Sequence, residues 1–384
     1  MAKGRRRKLE EIVEIVSGQV DPTKSPYKDM PHVGGENIES NTGRLTNIRS
    51  ASEVRMTSGK YLFDQQHVLY SKIRPYLNKV ALPDFSGVCS ADIYPIRPKN
   101  GELTREFLAY LLRSRTFLNY TEQHSTRTNI PKINREALLA FESDIPREGE
   151  QRKIVQIVRT VDRLEQTIEK LIDSANYLIV AVFFHLFGNP ISNSKDWDLF
   201  KLADIANTTS GGTPNRQNKT FFGNSDDIPW VKSGELDQFP VMSTEEFITA
   251  DGLKNSSAKL QQPGTVLVAL YGATVGKVSI LGIEAATNQA VCCIRPSNRL
   301  HHVYLAYLLR ILAPKLVHQR VGGAQPNISQ QIVRDLDIVV PPDHLQTRFV
   351  QIVDEIDKYV WDRRQSLEKA SLLRDSILYQ AFNV

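Results

Sequence analysis

The segment VLYSKIRPYLNKV (Val68–Val80) returns without a gap as VLVALYGATVGKV (Val266–Val278), 198 residues further along the chain. Other short segments recur in the same order and at nearly the same distance. They are Lys8-Leu9 with Lys201-Leu202, IRP at 96–98 with 294–296, LAYLLR at 108–113 with 305–310, Asn129-Ile130 with Asn327-Ile328, and VQIV at 155–158 with 350–353. The constant order predicts a tandem duplication of a unit of about 195 residues.

Each repeat begins with a mixed region. Short β-rich runs such as SADIYPI (90–96) and TVLVAL (265–270) lie among Gly, Pro and Asn turns, and LAYLLR predicts a short helix. These patterns predict the α/β (α+β) fold class, with one mixed globular region in each repeat.

Each repeat ends in a long predicted helix of about 40 residues, which would measure about 60 Å. The helices follow Pro146 and Pro341-Pro342, and proline suits a helix entry. Apolar residues step by three and four, as at the a and d positions of a coiled coil. The first row is Ile154, Ile157, Val161, Leu164, Ile168, Leu171, Ala175 and Leu178. The second, which Arg363 and Arg374 interrupt, is Phe349, Val353, Ile356, Val360, Leu367, Ala370, Ile377 and Ala381.

A heptad seam needs a partner. A solvent-facing bundle or a homodimer would supply one, and so would antiparallel pairing of the two helices within one chain. We favour the intramolecular pairing, because the seams have the same length and neither could stay exposed. Two similar domains would then lie at a fixed spacing about a pseudo-twofold axis, which suits a DNA target with two half-sites.

Composition sets broad limits. With 384 residues, 41% of them apolar, the chain can bury the cores of two or three domains. A net charge of +5 permits a nucleic-acid partner without requiring one. Cys89, Cys292 and Cys293 form no CxxC pair, which predicts a reduced, cytoplasmic protein. The basic segment Arg5–Lys8 can touch phosphate but is more typical of a solvated tail, and the apolar run Tyr177–Phe187 is too short to span a bilayer.

No catalytic constellation or metal site is predicted. GATVGK (272–277) has one residue too few between its glycines for a phosphate-binding P-loop, and Val278 follows it where Ser or Thr would bind magnesium. His301-His302 and Cys292-Cys293 are adjacent pairs that would face opposite sides of a strand. On the first long helix, Glu165, Glu169 and Asp173 are predicted to face solvent.

Polar, cationic and aromatic residues cluster on Gly-rich loops in both repeats. Arg and Lys can bind guanine edges or phosphate, Asn and Gln can read adenine, and glycine lets backbone N–H groups approach phosphate. For any one residue a capped turn is an equally good explanation, so the clustering in both repeats carries the prediction. The candidate DNA-binding residues are Lys72, Arg74, Tyr76, Asn78, Lys79, Arg127, Thr128, Asn129 and Lys132 in the first repeat, and Ser210, Gly211, Gly212, Thr213, Asn215, Arg216, Asn218, Lys219, Lys232, Ser233, Tyr271, Thr274, Lys277, Asn288, Gln289, Gln325 and Asn327 in the second.

Together these motifs resemble the specificity subunit of type I restriction-modification systems. The second repeat carries SGGTP (210–214), IPWVKSGEL (228–236), LYGATVGKV (270–278), TNQAVCCIRP (287–296), QPNIS (325–329) and LQTRFVQIVDEID (345–357). The first carries YSKIRPYLNKVAL (70–82), SADIYPIRP (90–98) and RTNIPKINREALLAFESDIPREGEQRKIV (127–155). The resemblance covers essentially the whole chain.

The resemblance implies target-recognition domains at 1–147 and 196–340, each reading one half of a bipartite double-stranded DNA target. It implies spacer-helix regions at 148–195 and 341–384, which pair as an antiparallel intramolecular coiled coil and dock methylation subunits, two of them. Such a subunit has no catalysis of its own. S-adenosylmethionine, ATP and Mg²⁺ would be bound by the methylation and ATP-driven restriction subunits. The long seam, with the apolar residues Leu178, Ile179, Phe183 and Phe184 at and beyond its end, suggests a need for partner subunits or self-association of the isolated chain. No membrane partner is expected.

The first repeat departs from the pattern. It lacks the SGGTP and IPWVKSG blocks, and SGQVDPTKSPYKDMPHVGGENIES (17–40) stands in their place. Within the second repeat, Gly211–Pro214 and Lys232–Gly234 are expected to shape the domain or hold phosphate, and Asn215–Lys219 to make specific contacts.

Two other classes of protein explain the sequence less completely. A stand-alone methyltransferase or nuclease would need an Asn-Pro-Pro-aromatic motif or a clustered acidic metal site, and the sequence has neither. A coiled-coil scaffold would explain the helices but not the cationic loops in both repeats.

Overall fold

The computed structural model describes residues 4–99, 101–126, 129–318 and 327–382. The chain divides into two compact units. Unit 1 comprises Met1–Lys170 and Arg363–Val384, and unit 2 comprises Leu171–Asp362. The divisions fall inside the two long helices, so each unit contains part of both.

Unit 1 begins with ten short strands and four short helices, followed by the first long helix. The strands are β1 (Arg5–Lys8), β2 (Val13–Ile15), β3 (Pro31–Val33), β4 (Arg49–Ser50), β5 (Tyr61–Phe63), β6 (Val68–Ser71), β7 (Val80–Ala81), β8 (Gly87–Cys89), β9 (Ile93–Pro98) and β10 (Glu142–Ile145). The helices are α1 (Leu9–Ile12), α2 (Arg105–Arg113), α3 (Arg115–His124), α4 (Arg135–Leu139) and the long α5 (Glu148–Phe187).

Unit 2 repeats this order. Its strands are β11 (Asp198–Lys201), β12 (Ala206–Ser210), β13 (Ile228–Val231), β14 (Phe247–Ile248), β15 (Val266–Ala269), β16 (Val278–Ile280), β17 (Ala286–Thr287), β18 (Val291–Pro296) and β19 (Asp337–Val340). Its helices are α6 (Leu202–Ile205), α7 (Ala250–Lys254), α8 (His302–His318), α9 (Gln330–Arg334) and the long α10 (Asp343–Phe382).

The sheets of the two units correspond closely. The order β2-β9-β6-β7 in unit 1 matches β12-β18-β15-β16 in unit 2, and the pair β1-β10 matches β11-β19. A second sheet, β4-β3-β8-β5, corresponds to β14-β13-β17 without a counterpart of β5, and the β3–β8 and β13–β17 pairings are both parallel. The predicted duplication and the mixed fold class are therefore confirmed.

The central strand of each first sheet is buried on both faces. In unit 2, Val266 and Val268 join the core that packs against the helices, whereas Leu267 and Ala269 join a second core beneath the other sheet. Burial on both faces explains why TVLVAL is continuously apolar rather than alternating.

One predicted equivalence between the repeats is wrong. Ile133 donates its backbone N–H to Lys72, and Ile328 donates in the same way to Leu270. Ile328 therefore corresponds to Ile133, and Asn327 corresponds to Lys132 rather than to Asn129. The short helices α4 and α9 follow these residues at the same offset.

The long helices pack together and run antiparallel. In unit 1, Arg374 of α10 bonds Glu165 in the first half of α5, with 2.6 Å between Nη1 and Oε2. In unit 2, the Phe349 ring near the start of α10 lies 5.5 Å from that of Phe183, near the end of α5. The predicted intramolecular pairing is thus confirmed, and both helices have the predicted length of 40 residues.

Only half of the predicted α5 seam is buried. Ile154, Val161, Ile168 and Ala175, which lie seven residues apart, are buried, as are Val158 and Ile179 on the same side. The alternate positions are exposed by 40–52%, and they are Ile157, Leu164, Leu171 and Leu178. The predicted seam of α10, by contrast, is buried or half-buried throughout. The packed face of α5 therefore includes every second predicted position and, between them, residues one position further along, such as Val158 rather than Ile157 and Ile179 rather than Leu178.

Two charged segments also differ from expectation. Glu165 does not face solvent, because its side chain is only 13% exposed and is paired with Arg374, while Glu169 and Asp173 are exposed as predicted. Arg5–Lys8 is not a tail, because it forms β1 and pairs with β10.

The C-terminal part of α5 is apolar enough, and the helix long enough, to pass a test for a membrane span. One such helix is weak evidence for a membrane span, and 22% of its most apolar 18-residue window is buried inside the structure. Ile179, Phe183 and Phe187 of this segment are buried in the unit 2 core.

Candidate nucleic-acid interface

The loop between β6 and β7 in unit 1 divides its polar residues into two groups. Lys72 donates from Nζ to the Ala91 carbonyl at 2.7 Å, and Lys79 donates to the Gly35 carbonyl at 2.6 Å. Buried Asn78 donates to the Arg113 carbonyl at 3.1 Å. These three predicted DNA ligands therefore fix the loop.

Arg74 and Tyr76 are the side chains that this loop presents outward. Arg74 is exposed and has the left-handed φ of 47°, a conformation unfavourable for a residue with a Cβ atom. Its backbone N–H is held by the Pro131 carbonyl at 2.7 Å. Tyr76 is 52% exposed. Strained backbone that the surroundings enforce is characteristic of functional positions.

The second predicted segment of unit 1 reaches the same loop. Ile73 and Lys132 form a β-bridge, which brings exposed Lys132 beside Arg74. Asn129 is also exposed. The predicted residues Arg127 and Thr128 lie outside the described residues, as does Gln325 in the second repeat.

In unit 2, Gly211 and Gly212 are packing residues. A Cβ atom on Gly211 would lie 2.2 Å from the Asn288 carbonyl oxygen, and one on Gly212 would lie 2.2 Å from the backbone nitrogen of Ala258. Their N–H groups donate to the carbonyls of Val291 and Thr287 and are not directed to a ligand. The glycine pair therefore shapes the domain, one of the two roles expected for it.

The polar neighbours of these glycines are also engaged within the unit. Ser210 donates to Gln330 at 2.7 Å, and the Thr213 hydroxyl bonds Gln289. The side chain of Asn288 accepts from the N–H of Ala290 at 3.2 Å.

A cluster of ion pairs joins the two most cationic segments of unit 2. Arg216 bonds Glu246 at 2.7 Å, and its guanidinium lies 4.9 Å from the ring centre of Phe222 and 5.0 Å from that of Trp230. Lys232 bonds the same Glu246 at 3.0 Å. Burial opposes ionisation of Glu246, but the hydrogen bonds from Arg216 and Lys232 outweigh it and lower its pKa. Both cations are thus held by carboxylates.

The loop at 215–219 remains the more open part of this region. Asn215 and Asn218 each cap a turn, since their side-chain oxygens accept from Gln217 and Thr220 at 3.0 and 3.1 Å. Asn215 and Lys219 are exposed, and Ser233 is half-buried.

The β15–β16 loop of unit 2 is the counterpart of the Arg74 loop. Tyr271 is 42% exposed and forms a β-bridge with Asn327, as Ile73 does with Lys132. Thr274 bonds the Tyr271 carbonyl at 3.2 Å. Lys277 is paired with Asp237 at 2.6 Å, so it holds the loop as Lys79 does in unit 1.

The first repeat does contain a counterpart of IPWVKSGE. Val33 pairs in parallel with Cys89 as Val231 pairs with Thr287. A short turn follows each, capped by Asn37 bonding the Gly34 N–H at 2.8 Å and by Glu235 bonding the Lys232 N–H at 2.7 Å. The letters GGEN and KSGE share too little for sequence comparison to align them. The sequence signal that relates the two turns is their shared position, directly before the buried Ile38 in unit 1 and the buried Leu236 in unit 2.

Exposed cations within 17–53 and just beyond it were not predicted as contacts. Lys28 and Arg55 lie on segments joined by a hydrogen bond from the Ser52 N–H to the Lys28 carbonyl at 2.9 Å. Both side chains are exposed. Nothing in the sequence distinguishes them from solvated surface charges.

Within the described ranges, no group of three His, Cys, Asp or Glu residues is arranged to hold a metal ion. His301 and His302 stack with ring centres 4.5 Å apart, and burial lowers the pKa of both. Their surroundings are those of packed side chains.

Comparison of the sequence with known protein families shows which family this chain belongs to. The family model described as "Type I restriction modification DNA specificity domain" matches residues 5–174 and again 194–369. The chain belongs to this family. The two matches coincide with the two repeats, so it contains two DNA specificity domains.

Curated relatives agree with this membership. The EcoDI specificity subunit of Escherichia coli is 34% identical over 168 residues, which are 44% of this chain and 37% of the relative. The MjaIX specificity subunit of Methanocaldococcus jannaschii is 23% identical over 74% of this chain and 69% of the relative. The chain thus spans from about a third to about two thirds of the length of these two curated relatives.

Two solved structures share the fold. One, from a study of complex assembly in a type I restriction-modification system, has a TM-score of 0.60 at 19% identity and covers 99% of this chain and 98% of its own. The specificity subunit from M. genitalium has a TM-score of 0.54 at 16% identity, with coverages of 98% and 96%.

Proposed function

We propose that this specificity-domain protein is the DNA-reading, non-catalytic subunit of a type I restriction-modification complex. It binds a bipartite double-stranded DNA target, with one half-site for each unit. The observation that carries the proposal is the duplicated β6–β7 and β15–β16 loop, which presents Arg74 and Tyr76 in unit 1 and Tyr271 in unit 2. Arginine and aromatic side chains suit phosphate and base-edge contacts.

The same proposal covers the partners and cofactors. Methylation subunits, two per chain, supply S-adenosylmethionine chemistry, and ATP-driven restriction subunits bind ATP and Mg²⁺. The complex works on cytoplasmic DNA. The free thiols of buried Cys89, Cys292 and Cys293 fit that reducing compartment.

The exposed α5 residues are proposed as the docking face for a methylation subunit. Ile157 and Leu164 are exposed in unit 1, and Leu171 and Leu178 in unit 2. Each exposes at least 40% of a large aliphatic side chain at seven-residue spacing. A row with this period suits a second helix packed against it. Burying such a row is favourable by about 25 cal/mol per Å².

The first experiment is methylation-motif sequencing of the source genome with the gene present and then deleted. Loss of a split motif with a fixed gap supports the proposal. Survival of every modified motif, in a genome where the neighbouring methyltransferase is expressed, contradicts it. Insertion of one heptad near Leu171 should then change the gap while each half-site keeps its sequence. A changed half-site with an unchanged gap would contradict the spacer role.

A DNA-binding measurement tests whether the exposed residues of the β6–β7 loop contact DNA. In the assembled complex, the double variant Arg74→Ala/Tyr76→Ala should weaken specific binding at least tenfold without changing thermal stability. Arg152→Ala, an exposed arginine on α5, is the matched control and should bind as the wild type does. Equal binding by all three proteins would exclude this loop from the interface.

The docking face is tested by Leu164→Ser/Leu171→Ser. We expect the variant to remain folded and to lose co-purification with the methylation subunit. Thr160→Ser/Thr167→Ser changes exposed positions outside the row and should co-purify normally. Retention of the partner by the leucine variant would place docking elsewhere.

A further inference from the structure

Unit 1 contains a cavity of about 380 Å³, which Asn78 of the β6–β7 loop lines but Arg74 and Tyr76 do not. Its walls come from the loop at Asn41–Arg44, the end of α2, the start of α3 and the unit 1 parts of α5 and α10. A volume near 300–1,000 Å³ is typical of small-molecule sites.

Unit 2 has an aromatic ring at the corresponding place. Phe239 lies 198 residues after Asn41, and each follows the corresponding capped turn, Gly35–Asn37 in unit 1 and Ser233–Asp237 in unit 2. Its ring lies 5.2 Å from that of Tyr307, and the Arg310 guanidinium lies 4.5 Å from its centre. Tyr110 and Arg113 of unit 1 are the counterparts of that tyrosine and arginine within LAYLLR. Asn41 provides no ring, so unit 1 keeps a ring-sized space against the same two side chains.

Two residues that line the cavity each carry a buried polar atom without a hydrogen-bond partner among the described residues. Arg113 donates from Nη1 to the Thr42 carbonyl at 2.7 Å, but its buried Nε has no hydrogen-bond partner within the described residues. Glu165 bonds Arg374 through Oε2, but its buried Oε1 likewise has no hydrogen-bond partner there. Leaving such groups without partners costs about 1–3 kcal/mol each, so a ligand that satisfies both is favoured.

The charges of the cavity point to an uncharged ligand. Four arginines and four carboxylates line it, and they are Arg44, Arg113, Arg115, Arg374, Asp162, Glu165, Glu169 and Asp375. Three ion pairs join five of them, at 2.6 Å between Arg374 and Glu165, 3.5 Å between Arg374 and Asp375, and 3.9 Å between Arg44 and Glu169. The formal charge of the wall is therefore balanced, and a charged ligand would leave an excess.

We propose that this cavity binds a neutral, planar heteroaromatic molecule of the nucleobase class, such as a free purine nucleoside. Its ring occupies the space that the Phe239 ring occupies in unit 2 and stacks against the Tyr110–Arg113 side. A ring nitrogen or carbonyl accepts from Arg113 Nε, and an amino group donates to Glu165 Oε1. This inference is separate from the DNA-reading function, because it concerns a free small molecule and involves neither Arg74 nor Tyr76, although Asn78 of the same loop lines the cavity.

Isothermal titration of the full chain with adenosine and with guanosine tests the proposal. We expect one nucleoside per chain, with a dissociation constant below about 1 mM for at least one of the two. Asn41→Phe, which supplies the ring that unit 2 has, should weaken binding at least tenfold. Gln217→Phe adds a ring at an exposed position of unit 2 and should leave binding unchanged.

Two results would overturn the proposal. One is no detectable binding of either nucleoside at about 10 mM. The other is equal affinity for wild type and Asn41→Phe, which would show stacking elsewhere on the surface. If Asn41→Phe fails to fold, Glu165→Met decides, because it nearly keeps the cavity size and removes the acceptor oxygen. A loss of at least fivefold supports the site, and unchanged affinity rejects it.

Discussion

Gln151 and Gln346 make the same three hydrogen bonds in the two units. Gln151 accepts from the Thr104 N–H at 2.8 Å and donates to the carbonyls of Glu102 and Pro146 at 2.7 and 2.8 Å. Gln346 accepts from His301 at 2.8 Å and donates to Arg299 and Pro341 at 3.0 and 2.9 Å. Both side chains are buried. In each unit this glutamine fixes the start of a long helix to the loop before α2 or α8.

Removing this glutamine should therefore destabilise its unit. Gln151→Ala leaves three part-buried backbone groups without this partner and opens a small void, so we expect a loss of about 2–4 kcal/mol in the free energy of unfolding. Urea denaturation followed by circular dichroism measures it. Gln156→Ala, at an exposed site on the same helix, should cost less than about 0.5 kcal/mol. Similar midpoints for the two variants would show that the bonds contribute little.

Much of the fold was predictable, because its signals are local. The repeat, the long helices and the buried strand at 266–269 follow from spacing and apolar pattern. The packed face of α5 did not, because a 3-4 apolar pattern also fits a face one position away. The sequence contains both a buried row and an exposed row, and only the path of α10 selects between them.

The bonding partners of the candidate DNA-binding residues could not be predicted from the sequence. A cation on a polar loop has the same local pattern whether it bonds a backbone carbonyl, as Lys79 does, or is exposed, as Arg74 is. Pairing partners such as Glu246 and Asp237 lie 30 and 40 residues from Arg216 and Lys277. Those ion pairs depend on tertiary packing, so no local sequence pattern predicts them.

The Glu165–Arg374 ion pair gives a prediction from the internal repeat. At an offset of 195, Glu165 corresponds to Val360 and Ile179 corresponds to Arg374, and the apolar pair is buried in unit 2. Glu165→Val or Arg374→Ile alone should cost about 1–3 kcal/mol by stranding a charge, whereas the double variant should match or exceed the wild type. A double-mutant cycle in urea measures this. Additive losses in the double variant would contradict it.

Burial of His32 predicts an acid-sensitive unit 1. Its side chain is almost fully buried, and burial first, then the nearby Lys60 charge, lower its pKa below the ordinary 6.5. The unfolded chain therefore binds this proton more readily, so stability should fall as pH decreases from about 6.5 through the lowered pKa. His32→Gln should reduce that slope in unfolding experiments between pH 8 and 5. Exposed His185→Gln should not change it, and identical slopes for all three proteins would refute the assignment.

The cysteine thiols should be unreactive in the native protein. All three are buried, and burial raises the pKa of Cys292 to about 12 and of Cys293 to about 11. At pH 8 the Cys293 thiol would be ionised in about one molecule in a thousand. We expect no reaction with a disulfide reagent over minutes until urea unfolds the chain, when three equivalents react. Rapid titration of even one thiol without urea would show local opening of a core strand.

We expect Arg74 to lower the stability of unit 1 while it contributes to specific DNA binding. Its left-handed backbone costs about 1–2 kcal/mol that glycine would not incur, offset in part by the extra freedom of glycine in the unfolded chain. Arg74→Gly should therefore stabilise unit 1 by about 0.5–1 kcal/mol while weakening specific DNA binding. Asn78→Gly shares the left-handed φ, at 49°, but loses the buried bond to the Arg113 carbonyl, so it should destabilise instead. Paired urea and DNA-binding measurements on both variants test this. If Arg74→Gly were less stable than the wild type, the arginine would stabilise the loop rather than serve DNA binding.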